Sequence, residues 1–389
     1  MLNIASKKVA WVLSLVTLFS SGLALASEAE TRSAAASPLF QSDSILEVTL
    51  KTDLPQLIRD RSKNYHTASI EVVDPAVRGP GLKMKVSTRG MTSLRTCAFP
   101  HLRLKFDTAT TQNTILRNLE KVKIVGHCNN PDLGDSKANE QKEVFLQYAL
   151  YKMYNVLTDY SMRVRLARMH YEDTSGRMSP ITKYAFFIEP EESVAARFGA
   201  KAWDREELNN QGYSSSNLNA TYAGMDEAYQ FLIGNGDWRL LRGNTISILN
   251  SIVISGQNIG FLAMPFDMDR GGMVNGSFAF HSIYSDGGTF PIVGDDVGTI
   301  RSIYTQYYQG RKMYKYAFER FREKRTEMYA VYDRLSSLID PHYRNRTIGH
   351  LDRFFQAIGT REGAEIDATT PYDESVPLDE AVPMEGSEP

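Results

Sequence analysis

Four short runs between residues 46 and 124 alternate apolar and polar side chains: Leu46, Val48 and Leu50; Leu82, Met84 and Val86; Leu102, Leu104 and Phe106; Val122 and Ile124. That alternation turns one face of an extended strand to a core and the other away, so this part of the chain is committed to a sheet. Pro75, Gly79-Pro80-Gly81 and Arg89-Gly90 supply the turns. The span Asn139–Leu157 predicts a helix, with Val144, Phe145, Leu150, Tyr151 and Tyr154 near one face and no Pro or Gly inside. Strand-like runs follow around Val164–Tyr171 and Lys183–Ile188. After Glu189-Pro190 the pattern becomes helical, with a helix over Met225–Leu232 and a long helical stretch from Ile300 to about Leu338. Between them Ile246–Ile254 and Ile259–Phe266 read as a hairpin turning at Ser255-Gly256-Gln257-Asn258. A strand-rich first half holding one helix, then a helix-rich second half, predicts an α+β fold.

The two ends differ from this body. Lys7 and Lys8 precede an apolar run from Val9 to Phe19, and Ala24-Leu25-Ala26 follows with small-x-small spacing, which reads as a signal peptide over 1–26. Residues 27–43 read as a flexible lead-in. The final segment, 361–389, carries nine acidic residues and four prolines and reads as a disordered acidic tail. The net charge of −2 excludes wholesale coating of nucleic acid, which needs a basic surplus. Without the leader's two lysines and the tail's nine acids, the body stands at about +5, mild enough to favour an anionic ligand without specifying one. The chain is expected to be exported, periplasmic or secreted, with no membrane span after leader removal. Two cysteines only, Cys97 and Cys128, in such a chain predict a disulfide between them. They cannot form a Cys-rich zinc site, and the seven histidines have no HExxH spacing.

Two loop clusters hold residues suited to chemistry. Gly234-Asn235-Gly236-Asp237-Trp238 puts an aspartate in a Gly-rich turn after a helix, where a carboxylate can orient or deprotonate a hydroxyl; Asn244 could offer its carbonyl oxygen to a metal. Asp267 and Asp269, following the apolar run that ends at Phe266, could converge on one Mg²⁺. Plain turn residues explain either cluster equally well, since Gly, Asn and Asp are common in loops.

In order along the chain, several short motifs resemble those of CotH-type kinases, secreted atypical protein kinases named after a spore coat protein. They are Ser87-Thr88-Arg89-Gly90, Phe99-Pro100-His101-Leu102-Arg103-Leu104-Lys105-Phe106, Tyr184-Ala185-Phe186-Phe187-Ile188-Glu189, Gly236-Asp237-Trp238 and Phe266-Asp267-Met268-Asp269. The likeness spans roughly residues 80–275. There is no His-Arg-Asp triplet and no Asp-Phe-Gly. The resemblance implies a bilobal protein-kinase-like fold, with a strand-rich first lobe over 44–190 and a helix-rich second lobe over 191–360.

It also implies ATP with Mg²⁺ or Mn²⁺ as cofactors, and a protein or other hydroxyl-bearing acceptor. Asp237 would be the catalytic residue, and Asp267 and Asp269, with Asn244, the metal ligands. Either Lys105 or Lys123 would meet phosphate, supported by Glu143 or Gln147, with Glu189 and Trp238 flanking the nucleotide. Two other readings stand beside this one: a catalytically inactive binding or structural module of the cell envelope, and a metal-dependent phosphoester hydrolase.

Overall fold

The computed structural model describes residues 37–359 except 75–76, 79–80, 129–140, 236, 243, 258 and 275–311. The leader, most of the lead-in, the acidic tail, Gly79-Pro80, Gly236 and the start of the expected Ile300–Leu338 helix lie outside these residues.

The alternating runs become strands, but they do not form the small lobe of a kinase. The first eight are β1 (Leu46–Thr52), β2 (His66–Asp74), β3 (Val77–Arg78), β4 (Leu82–Thr88), β5 (Leu102–Lys105), β6 (Lys121–Val125), β7 (Val164–Asp173) and β8 (Ile181–Ile188). They pair in the order β1-β7-β8-β6-β5-β4-β2-β3, and β1 also pairs with β2. That last pairing, Leu50 opposite Ile70, closes seven strands into a barrel. The bilobal kinase-like expectation is therefore overturned: the sheet of the first half is a ring without a free edge at β1. Only one pairing in the ring, β1 with β7, is parallel.

The side chains the alternation marked turn inward: Val48, Leu50, Val86, Leu104 and Val122 share one buried cluster with Ile70, Met169 and Phe187, which it had not marked. Arg165, in line with inward Ala167 and Met169, is fully buried; its guanidinium donates to the Ser44 and Leu39 carbonyls and to Ser44 Oγ at 2.6 Å. The disulfide Cys97–Cys128 is present, tying the segment after β4 to the end of β6.

The outer wall of β6, β7 and β8 is apolar too. Val125, Val164, Leu166, Phe186 and Ile188 join a second cluster with helix α1 (Lys142–Leu157) and the later helices. Those are α2 (Glu191–Arg197), α3 (Ala220–Leu232), α4 (Lys312–Glu323), α5 (Arg325–Arg334) and α6 (Pro341–Ile358). Because α1 is covered by the barrel on one side and by helices on the other, most of its residues are buried. None of the helices among the described residues is long and apolar enough to cross a membrane.

The second half also holds strands: β9 (Lys201–Ala202), β10 (Arg239–Arg242), β11 (Thr245–Leu249), β12 (Ser251–Gly256) and β13 (Gly260–Pro265). The run expected as one strand, Ile246–Ile254, breaks at Asn250, whose φ is 50°. β11 then pairs with β10, and β12 with β13 and β9. Asn tolerates that left-handed conformation better than the β-branched residues around it.

Candidate functional site

One row of register partners runs around the barrel's outer wall: Ser87 on β4, Arg103 on β5, Lys123 on β6 and Ile188 on β8. Ile188 lies under the helical layer. The polar members of the row lie where that cover gives way to the turn between β13 and the 3₁₀ turn Met268–Arg270. A seam thus forms between the cationic barrel wall and a carboxylate-bearing turn.

On the wall side, Lys123 pairs with Glu191 and its Nζ lies 4.4 Å from the centre of the Phe266 ring. Burial lowers the Lys123 pKa and Glu191 opposes the shift, while nearby Arg89 and Arg103 add to the lowering. Glu191 itself is held below the usual carboxylate range: burial works to raise it, and Lys123, a backbone hydrogen bond and Arg89 together outweigh that. Arg89, one residue beyond β4, is 9% exposed, and its Nε has no hydrogen-bond partner among the described residues. Burial lowers its pKa; the largest opposing influence is Asp267. A guanidinium so placed is costly unless an anion meets it. Beside it His101 is kept neutral, its pKa pushed down to about 3 by burial and then by Arg89 and His127, and its Nδ1 accepts from the Gly126 N–H at 3.3 Å.

On the other side, Asp267 adopts a left-handed φ of 52° and donates its backbone N–H to Tyr151 Oη of α1 at 3.1 Å. Asp is among the few residues that visit this region readily, and the conformation ends β13 in a sharp turn. Asp269 is pushed up to about 7 by burial and then by Asp267; Arg270 opposes this, and Asp237 and Glu143 add to it. Asp237 meets Arg270 Nε at 3.4 Å and accepts from Asn250 Nδ2 at its carbonyl, 2.6 Å, and its Oδ2, 3.2 Å. Arg270 also donates to Thr92 Oγ1 at 3.2 Å, joining the turn to the disulfide-tethered segment of the barrel.

The residues anticipated from sequence divide. Lys123, Asp267, Asp269, Asp237 and Glu143 gather at the seam, and Gln147 lies buried one helical turn from Glu143 on the stripe that ends at Tyr151. Lys105 does not join them: its side chain is 42% exposed and pairs loosely with Glu120 at 3.7 Å. Glu189 turns away into a buried pair with Arg197, Oε2 to Nη2 at 3.0 Å, and also accepts the Arg163 N–H. Asn244 sits at the β10–β11 turn and accepts from Ser215 Oγ, so Asn250 is the asparagine on Asp237. Trp238 packs against the small apolar cluster of Ile246, Val253 and Ala263. Arg89, Glu191, Arg270 and Asn250 were not singled out as site residues, although Arg89 stood in a quoted motif. Among the described residues no group of three or more His, Cys, Asp or Glu is gathered closely enough to hold a metal ion.

Compared with protein-family models, with curated proteins and with solved structures, the chain matches none. Its class is therefore defined by geometry alone: a closed seven-stranded barrel with helices on one flank and an opposed row of cations and carboxylates along the seam.

Proposed function

We propose that the protein is an exported phosphotransferase that binds a nucleotide with Mg²⁺ or Mn²⁺ in this seam and passes phosphate to a hydroxyl-bearing acceptor. The observation that carries the reading is the buried Arg89, unpaired at Nε among the described residues, beside Lys123 and across from Asp237, Asp267 and Asp269. A phosphate chain would answer both sides: its oxygens would neutralise the cations, and a divalent ion held by the carboxylates would supply the positive charge they lack. Mg²⁺ keeps several waters and is commonly held by one or two carboxylates plus substrate phosphates, so Asp267 and Asp269 are the residues that would hold it. When bound, the ion supplies charge neutralisation at the transferring phosphate.

The chain's own residues do the rest. Glu191 holds the Lys123 ammonium in place for phosphate oxygens, and Arg89 offers a second cation from the barrel wall. Asp237, positioned by Asn250, orients the acceptor hydroxyl. Export is supported by the leader-like start, and the disulfide is compatible with it.

The test is the melting temperature of residues 27–389 with and without ATP plus Mn²⁺, beside Asp267→Asn. A ligand at ~100 times its dissociation constant adds ~2.7 kcal/mol, so the parent should shift upward and the variant should not. Radiolabelled phosphate should then move to an acceptor, with Asp267→Asn ~100-fold slower or worse. No shift in the parent would sink the reading. A second reading, a nucleotide-binding module without transfer, is favoured by the engagement of Asp237 with Arg270. It predicts the same shift with no consumption of ATP.

A further inference from the structure

Helix α3 carries a carboxyl group that no ion pair among the described residues explains. Asp226 is fully buried, as are Gln230 one turn later and, nearly so, Asn235 and Ser251. Asp226 Oδ1 accepts from Gln230 Nε2 at 3.2 Å, Gln230 Oε1 accepts from Asn235 Nδ2 at 2.9 Å, and Asn235 Oδ1 accepts from the Asp237 N–H at 3.0 Å. A second branch leaves from Ser251, which lies against Asp226 and follows Asn250 in the chain; Asn250 holds the Asp237 carbonyl and carboxylate. Both branches end on Asp237, one at its N–H and the other at its oxygens.

We propose that Asp226 is a positioning residue that fixes the Asp237 loop through these two branches, acting as a neutral carboxylic acid. This rests on the reading of Asp237 as the residue that orients the acceptor. The groups around Asp226 are Gln230 and Glu227 of its own helix, Ser251 of β12 and Tyr154 of α1, and none is cationic. Asp226 Oδ2 is buried beside the Ser251 and Tyr154 hydroxyls, which can accept a proton on it as well as donate to it, and no cation stands there to stabilise the charged form. Burial accordingly pushes the Asp226 pKa up to about 8, with Ser251 and Gln230 opposing. An apolar residue would fill a buried helix position at lower cost, so a carboxyl here is explained by what it holds.

The test uses the whole chain and two kinds of readout. Amide hydrogen exchange of residues 233–238 is measured in the parent, Asp226→Asn, Asp226→Leu and Gln230→Met, and the ATP-plus-Mn²⁺ melting shift is measured alongside. Asp226→Asn, which keeps an acceptor for Gln230 and a donor for Ser251, should keep the parent's protection and shift. Asp226→Leu and Gln230→Met should lose about 10-fold in protection at the Asp237 amide, the equivalent of one buried hydrogen bond, while β12 stays protected. Any phosphate transfer should fall in kcat with KM little changed. Parent-like protection in both apolar variants overturns the proposal, as does a loss spread evenly over α3 and β12. The exchange result stands without nucleotide, so failure of the parent to bind ATP counts against the phosphotransferase reading and not against this one.

Discussion

The inside of the barrel and the seam on its outer wall obey opposite rules. Inside, Leu50, Ile70, Val86, Leu104 and Phe187 meet one another, and the charged residue in line with them, Arg165, has every nitrogen of its guanidinium engaged. Outside, Arg89 is buried with an Nε unpaired among the described residues, Lys123 has a depressed pKa, and carboxylates crowd Asp269. Glu189 and Glu191 show the contrast within three residues. The first closes a buried pair with Arg197, and the second holds a lysine facing the seam. Satisfied polar groups mark the parts of a protein that only need to stand, whereas strongly perturbed charges gather at functional sites more often than elsewhere.

The contrast can be broken by substitution. Leu104→Ala should cost about 3 kcal/mol in denaturant unfolding, because it opens a cavity in a packed interior, and should leave the ATP-plus-Mn²⁺ shift intact in sign. Arg89→Leu should do the reverse: the ligand-free protein gains on the order of 1 kcal/mol by losing a buried guanidinium whose Nε is unsatisfied among the described residues, and the nucleotide shift disappears. If Arg89→Leu instead destabilises the ligand-free protein, the two regions follow one rule.

Asp226 sharpens the comparison through pH. Its carboxyl binds a proton more tightly folded than unfolded, up to about 8 against an ordinary 3.8. The stability it contributes is therefore fully present below about pH 4 and is lost progressively as pH rises to about 8. Asp226→Asn should remove that slope, so urea midpoints of parent and variant should differ more at pH 8 than at pH 5, in the variant's favour at the higher pH. The smallest effect belongs to Lys105→Met, expected within about 0.5 kcal/mol of the parent and with an unchanged nucleotide shift, whereas Lys123→Met should abolish the shift.

Alternation made the strands legible, since Leu82, Met84 and Val86 or Val122 and Ile124 declare an inner face without reference to anything distant. Closure was not legible. It depends on β1 finding β7, Leu46 beside Ala167, and local pattern says nothing about a partner so far along the chain. The kinase-like expectation failed at that point, because the same strands make an open or a closed sheet according to pairings that periodicity leaves open. The carboxylates Asp237, Asp267 and Asp269 were legible because acids beside apolar runs and glycines invite explanation. Arg89 as a site residue was not, because an Arg before Gly looks like a solvated turn until packing buries it. Asn250 was hidden for a different reason: it sits within an apolar run that reads as continuous strand, and only its left-handed backbone splits that run into two sheets.

The parallel pairing of β1 with β7 also has a meaning in time. Every other neighbour of β1 in the ring is local, through β2, but its second edge waits for residues 164–173. Between the two lie α1, the disulfide and the other strand pairings, each closing a shorter span of chain than β1 with β7, the longest of them β6 with β8, Lys123 opposite Ile188. Closing the ring is thus the step of high contact order, and it sets the folding rate more than the stability. Until then β1 presents an open hydrogen-bonding edge, the kind of edge that recruits another chain. A second copy of β7 is its natural competitor, so refolding yield should fall with protein concentration while the finished ring, once closed, offers nothing there to join.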